Sequence, residues 1–252
     1  MFVEYFRPKT IDEALQYLGK PEILAVPLGG GTTLSHGEKS PLALVDLQDL
    51  PLNRITRQGN LLKIGSTVRL QTLLESPGIQ PGLAEVVRHE TTLNLRNMAT
   101  IAGSLVTADG KSTLATALLA LDAKLRILPG EAEINLGDWL LERASWNRRN
   151  LIAEIEFSSQ PELKWEMVAR SPEDRPIVCV AVAVWPSGRT RVALGGYGKA
   201  PVVAMDGPES AGADAAAENA YSQATDAFAS GSYRSHAAKV MIRRLLGLGE
   251  MA

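Results

Sequence analysis

The sequence predicts an α+β protein, on three observations. Strand-length apolar runs and capped amphipathic helices are interspersed through the first 157 residues. The last third changes character, to consecutive strands joined by hairpin-like turns and followed by two helices. Composition supplies a core for both parts, since the 252 residues are 45% hydrophobic and 21% charged. The expected division is three parts, at 1–56, 57–157 and 158–252.

The first part opens with "TIDEALQYL". Thr10 and Glu13 form a T-x-x-E capping box, and apolar positions 11, 14, 15 and 18 predict an amphipathic helix. "EILAVPLGGG" then reads as a strand into a tight turn, and "LALVDLQDL" as a second strand, which closes a small β-α-β lobe. In the second part Leu61, Leu62 and Ile64 predict a strand ended by Gly65, with Thr67 capping a helix through about Leu74. "PGLAEVVRHE" is a helix with proline in its first turn. "STLATALLALDA" is a helix apolar enough to be buried. "KLRIL" and "AEINL" pair around "PGEA", "GDWLLERA" is a short helix, and "LIAEIEF" is a closing strand. In the third part "LKWEMVAR", "PIVCVAVAVW", "TRVALGGYG" and "APVVAM" form a sheet with a turn at "PSGR". A helix at about 209–229 follows. A last helix is expected to present Tyr233, Ala237, Val240, Met241 and Leu245 on one face.

Several function classes are excluded. A net charge of −2 and 5% aromatics give neither the basic surface nor the stacking platform of a nucleic-acid binder. The basic helix "YRSHAAKVMIRR" therefore reads as solvated or subunit-facing. No segment approaches the ~20 apolar residues of a membrane span, and the first residues are not a secretory signal; the expectation is a cytoplasmic protein. One cysteine, Cys179 inside "IVCVAVAVW", excludes an intrachain disulfide and an iron–sulfur cluster held by this chain alone. His36, His89 and His236 have no metal-ligand spacing, and there is no G-x-S-x-G elbow. No residue is assigned as a catalytic acid or base, and none as a metal ligand.

Two stretches do carry chemistry. "AVPLGGGTTLSHG" (25–37) is neither a Walker A loop nor a Rossmann fingerprint, since no G-K-[ST] follows and Leu34 stands where a third glycine would be. Gly30 and Gly31 bring bare backbone N–H groups close to any ligand, with the Thr32 and Thr33 hydroxyls beside them. Spacing alone leaves a plain glycine turn open as the alternative. "NMATIAGSLVTADG" (97–110) offers a second small-residue bend, with Arg96 and Asn97 before it and Asp109 after. Two uncharged bends suit a tightly held dinucleotide, with a cofactor carrying the hard chemistry.

The chain resembles a known family nearly from end to end. "FRPKTIDEALQYL", "PLGGGTTL", "LLKIGSTVRLQTLLES", "LRNMATIAGSLVTADGKSTLATALLALDA", "RVALGGYGKAPVVA" and "YRSHAAKVMIRRLL" occur in the order found in the FAD-binding middle subunit of the molybdenum hydroxylases, the group of carbon monoxide and xanthine dehydrogenases. The resemblance implies a two-lobed FAD-binding domain of the PCMH, or vanillyl-alcohol-oxidase-like, type and a C-terminal α+β domain. It implies FAD as cofactor, bound through Gly30, Gly31, Thr32, Thr33 and Leu34 and through Thr100, Ile101, Gly103 and Ser104, with Asp109 and Thr113 as further contacts. It implies as partners an iron–sulfur small subunit and a molybdopterin-binding large subunit, with NAD or another molecule as electron acceptor. The chain departs from the pattern at Ala102 (a glycine in the family), at Thr113 (an aspartate), and at Glu166 and Met167, near which a lysine is usual. Two other readings share the fold: a stand-alone flavoprotein, and a scaffold subunit that has lost FAD.

Overall fold

A computed structural model describes residues 2–34, 41–130, 132–143, 145 and 149–248. His36 lies outside them. The described chain gathers into two compact units. The first is Met1–Pro77, Thr91–Thr107 and Lys124–Phe157; the second is Gly78–Glu90, Ala108–Ala123 and Ser158–Ala252. The two helical segments 78–90 and 108–123, which the sequence placed with the second part, thus cluster with the C-terminal sheet.

The chain begins with β1 (Phe2–Phe6), α1 (Ile11–Leu18), β2 (Ala25–Leu28) and β3 (Leu42–Asp46). β3 lies between β1 and β2, and both pairings are parallel. Thr10 caps α1 as expected, its Oγ1 accepting the Glu13 N–H at 3.2 Å, while the Glu13 carboxylate accepts the Lys9 N–H at 2.8 Å. Ala14 and Leu18 bury the inner face of α1 against Ala25 and Val45.

β4 (Ile55–Gln58) and β5 (Leu61–Gly65) form an antiparallel pair, and α2 (Leu70–Leu74) follows. Thr67 does not cap this helix; Arg69 holds the N-cap position. Residues 66–69 have another use, because they bridge to the segment around Thr100. Leu70 N–H donates to the Ala99 carbonyl at 3.0 Å and Ile101 N–H to the Val68 carbonyl at 2.9 Å. α3 (Pro81–Glu90) belongs to the second unit. α4 (Leu93–Arg96) and α5 (Ile101–Thr107) return to the first, so the second small-residue bend is the opening of a helix. After α6 (Thr113–Ala120), again in the second unit, come β6 (Lys124–Leu128), β7 (Ala132–Asn135), α7 (Leu136–Glu142) and β8 (Leu151–Ser158). The strands complete a five-stranded sheet in the order β4-β5-β8-β6-β7.

The second unit is built on β9 (Glu162–Val168), β10 (Val178–Val184), β11 (Thr190–Gly195) and β12 (Val202–Gly207), an antiparallel meander. β10 explains how it is packed. Side chains alternate across a strand, and in "VCVAVAV" Val178, Val180 and Val182 enter one core with residues of α8 (Ala213–Ala220) and α9 (Gly231–Leu246). The alternate positions Cys179, Ala181 and Ala183 are small, and that face meets α6. Cys179 pairs with Gly195 on β11, where an added Cβ would lie 2.3 Å from Thr116 Oγ1. Every residue of α6 is buried, as its composition required.

Two expectations for the C-terminal helices are corrected. The helix at 209–229 is helical only over Ala213–Ala220, because residues 221–230 form a loop fastened from inside. Arg234, fully buried, donates to the carbonyls of Ile177, Ala224 and Ala229 and to Asp226. A guanidinium has five donors, and this loop turns carbonyls inward to meet them. For the same reason the inner face of α9 is Arg234, Ser235, Ala238, Met241 and Ile242, with Ala237 and Leu245 at its margin, while Tyr233 is exposed.

Candidate functional site

The first unit contains a cavity of about 530 Å³, within the range of small-molecule sites. One wall is the loop after β2: Gly29, Gly30 and Gly31, then Thr32, Thr33 and Leu34. Thr100, Ala102, Gly103, Val106 and Thr107 form a second wall along α5, with Ser66 and Thr67 beside it. Ile127, Trp139, Leu151 and Ile152 add mostly apolar lining, and Arg143 and Asn150 are the polar residues among the rest.

The two stretches singled out in the sequence touch each other directly. A Cβ on Gly30 would lie 1.9 Å from the Met98 carbonyl oxygen and 3.1 Å from Ala99 Cα. A Cβ on Gly29 would lie 2.8 Å from Thr100 Oγ1, and one on Gly103 2.9 Å from the same oxygen. Glycine is thus required at Gly30 because another backbone occupies the space a side chain would need. At Gly31 the requirement is conformational, with φ at +68°.

The bends differ in what they offer a ligand. On α5 the amides are committed within the protein. Ile101 N–H goes to the Val68 carbonyl, Ala102 N–H to the Ser66 carbonyl at 3.2 Å, Gly103 N–H to Thr100 Oγ1 at 3.2 Å, and Ser104 N–H to the Thr100 carbonyl at 2.9 Å. Among the described residues no acceptor is found for the N–H groups of Gly30, Gly31, Thr32 and Thr33. The glycine loop can therefore supply amide donors, and α5 supplies surface and hydroxyls. Ala102, the departure from glycine, is accommodated as an ordinary helical residue whose N–H is bonded.

Of the residues assigned from the sequence, Gly30, Gly31, Thr32, Thr33, Leu34, Thr100 and Gly103 line the cavity. Ile101 is fully buried in the core beside it, and Ser104 is half-buried on the next turn. Asp109 and Thr113 belong to the second unit. Asp109 is held by the Arg175 guanidinium, its Oδ2 2.8 Å from Nη1, and its Oδ1 accepts the Lys111 N–H at 2.8 Å. Burial pushes this carboxyl up, but those contacts outweigh it and its pKa lies below the usual value. Thr113 is buried and donates to Glu90 Oε2 at 2.9 Å. Arg96 bonds Gln71 Oε1 at 3.1 Å and the Thr91 carbonyl at 2.8 Å, a brace between α4 and α2. In the β9 strand Glu166 pairs with Arg244.

Ser66, Trp139, Arg143 and Asn150 line the cavity and were not singled out from the sequence. Ser66 carried a signal that was not used, a hydroxyl directly after a strand-ending glycine. The residue is 2% exposed, and its Oγ has no partner among the described residues. A buried hydroxyl without a partner costs free energy, and a ligand group in the cavity would satisfy it.

The site therefore combines amide donors for an anion, apolar walls for rings and an unpartnered hydroxyl, and a dinucleotide fits that set. Residues 1–158 match the family described as the FAD binding domain in molybdopterin dehydrogenase, and the chain belongs to that family. FAD is the family's cofactor, and its members are oxidoreductases. Among curated proteins the chain is 28% identical over 198 residues to the uncharacterized protein YgfM of Escherichia coli (strain K12), covering 78% of this chain and 75% of that one. It is 26% identical over 210 residues to the nicotine 6-hydroxylase medium subunit of Paenarthrobacter nicotinovorans, covering 77% and 74%. Among solved structures it matches the reconstituted CO dehydrogenase from Oligotropha carboxidovorans with a TM-score of 0.81 at 24% identity, over 97% of this chain and 96% of that one. The last likeness establishes the fold, and with it the α+β class expected from the sequence.

Proposed function

We propose that this chain is the FAD-carrying medium subunit of a molybdenum hydroxylase complex. It would stand between an iron–sulfur subunit and a molybdopterin-binding large subunit on one side and an external acceptor, NAD or another, on the other. A cytoplasmic location belongs to the same reading. FAD, when bound, supplies the redox chemistry. The chain's own residues hold and orient it. The amides of Gly30, Gly31, Thr32 and Thr33 would receive the diphosphate, Thr100 and Gly103 would hold the loop in register, and Leu34 would close the wall. Ile101 and Ser104 would act from behind, by fixing α5. Asp109 and Thr113, expected as further contacts, belong to the second unit and are held there by Arg175 and Glu90, so the reading assigns them no part in the cavity.

One observation carries the reading. The glycine loop with unspent amides is interlocked with Thr100 at the rim of a cavity large enough for a sizeable ligand. The relatives named as medium subunits support the assignment to a complex. The test is the absorption spectrum of the purified chain, with the chromophore released on denaturation identified, and then affinity capture of its companions. Near one FAD per chain, and cluster-containing and molybdenum-containing companions in the native complex, are expected. A yellow protein that turns over substrate alone would replace the proposal by a stand-alone flavoprotein. A colourless chain that takes up no FAD would replace it by a scaffold subunit, the reading that the spent amides of α5 favour.

A further inference from the structure

We infer that Glu90 and Thr113 form a proton switch, in which the Thr113 hydroxyl bonds the Glu90 carboxylate when that is ionised and the Val86 carbonyl when it is protonated. The switch lies in the second unit, at the joint between α3 and α6, and does not involve FAD. Glu90 ends α3. Its Oε1 accepts the Ser112 hydroxyl at 2.9 Å, and its Oε2 accepts the Thr113 hydroxyl at 2.9 Å and the Leu114 N–H at 2.8 Å. The three donors belong to the cap and first turn of α6, where the helix dipole favours a negative charge. The ionised state is thus fully bonded.

A protonated carboxyl must donate, and one neighbour can rearrange to receive its hydrogen. The Leu114 N–H is a donor only. Ser112 Oγ already accepts the Ala115 N–H at 3.0 Å, and its own hydrogen has no second acceptor among the described residues. Thr113 Oγ1 does have one, the Val86 carbonyl at 3.3 Å. A carbonyl oxygen has two lone pairs, so it can take this bond beside a helical one. With the proton on Oε2, the acid donates to Thr113 Oγ1 and Thr113 donates to Val86. Two hydrogens change place and no heavy atom moves. The proton is exchanged with solvent, which the half-buried Glu90 still reaches, whereas Thr113 is 2% exposed. Burial favours the protonated state, and Arg175, ahead of β10, favours the ionised one. The Cys179 thiol of β10 also acts across the joint. β9 meets α3 through Leu163 and Trp165, which do not titrate, and His89, exposed beside Glu90, turns to Trp165.

The test uses the full chain. Difference infrared spectra of the wild type against E90Q read the acid carbonyl band of Glu90 as pH is raised. Urea unfolding is then measured on either side of the pH at which that band is lost. T113V is expected to lower the folding equilibrium constant about two- to tenfold on both sides, as loss of one hydrogen bond does. On the ionised side the carboxylate lacks a donor, and on the protonated side the acid hydrogen lacks an acceptor. T113S keeps the hydroxyl and should match the wild type on both. A cost confined to one side overturns the inference, because Thr113 then bonds Glu90 in a single state. No cost on either side overturns it too. The band itself is a property of the wild type, so the test stands even where T113V fails to fold. A band absent at the acid limit of the folded range, or persisting to the alkaline limit, leaves Glu90 one state only and refutes the switch.

Discussion

Replacing Gly30 by alanine adds one methyl group, and the structure fixes what that methyl meets. Its carbon would stand 1.9 Å from the Met98 carbonyl oxygen and 2.7 Å from the carbonyl carbon. Non-bonded carbon and oxygen need more than about 3 Å, so the glycine loop and residues 98–99 must part by about 1 Å. Both sides are backbone, and no rotamer change relieves the clash. Gly30 is not among the glycines with positive φ, so alanine meets no conformational objection there. The substitution would itself gain about 0.4–1 kcal/mol by restricting the unfolded chain, against overpacking costs of about 1–3 kcal/mol. A net loss of up to about 2.6 kcal/mol follows, up to roughly 10 °C in Tm for a chain of this size. The larger effect falls on the ligand. Moving the amide donors by ~1 Å disrupts hydrogen bonds to a charged group worth about 1.5–3 kcal/mol each, so FAD should bind at least tenfold more weakly. G59N, in the turn between β4 and β5 and outside the cavity lining, is the control. Asparagine tolerates a left-handed φ, and the added Cβ would meet nothing within 4 Å. Flavin fluorescence titration and thermal melts of the three proteins decide the matter. If G30A binds FAD as the wild type does, the interlocked loops do not shape the site and the reasoning fails.

Three other outcomes are expected. Burial pushes the Glu90 carboxyl above its ordinary value of 4.5, against bonds from the Leu114 N–H and the Ser112 and Thr113 hydroxyls. The folded chain thus retains a proton that the unfolded chain releases. Glu90's contribution is fully present below the ordinary value and is lost as pH rises through the folded one. E90Q should gain stability relative to the wild type between pH 4 and pH 8; parallel stability–pH curves would contradict this. Thr113→Asp, a return to the family's residue, places a second carboxyl against Glu90 at a position 2% exposed. It should cost about 1–3 kcal/mol in urea unfolding, with part regained in the double variant with E90Q; an undiminished cost there would show that Glu90 is not the reason. Cys179 is buried, and its thiol is pushed up to about 12. It should react with a thiol reagent only after denaturation, and rapid labelling of the native chain would refute its placement against α6.

What could be read in advance depended on whether a residue's role was local. The Val/Ala alternation of β10, the capping box of α1 and the glycines after β2 each declare their geometry within a few residues. The hydrophobic content of α6 declared its burial. α5 was missed as a helix because "TIAGSLVT" combines β-branched residues, glycine and serine, all poor formers. Its first amides are instead satisfied by Val68, Ser66 and Thr100, partners the local sequence does not announce. Arg234 reads as a surface cation in "YRSHAAKV", and only the carbonyls of a distant strand and loop make it a core residue. Arg143 and Ser66 were passed over for a similar reason, since each meets the cavity through a fold contact with α5.

The route of the chain through its two units has a practical corollary. The segment that matches the family ends at residue 158, but α3 and α6 fall inside it and belong with the sheet that comes after it. Expressed alone, that segment would carry a helix buried at all eight positions, Thr113–Ala120, with no β10 or β11 to cover it. Such a fragment should aggregate, so the boundary drawn by sequence similarity is not a place at which to cut this protein. Any exchange of domains with a relative would have to move α3 and α6 together with the C-terminal sheet, although they are encoded far upstream of it.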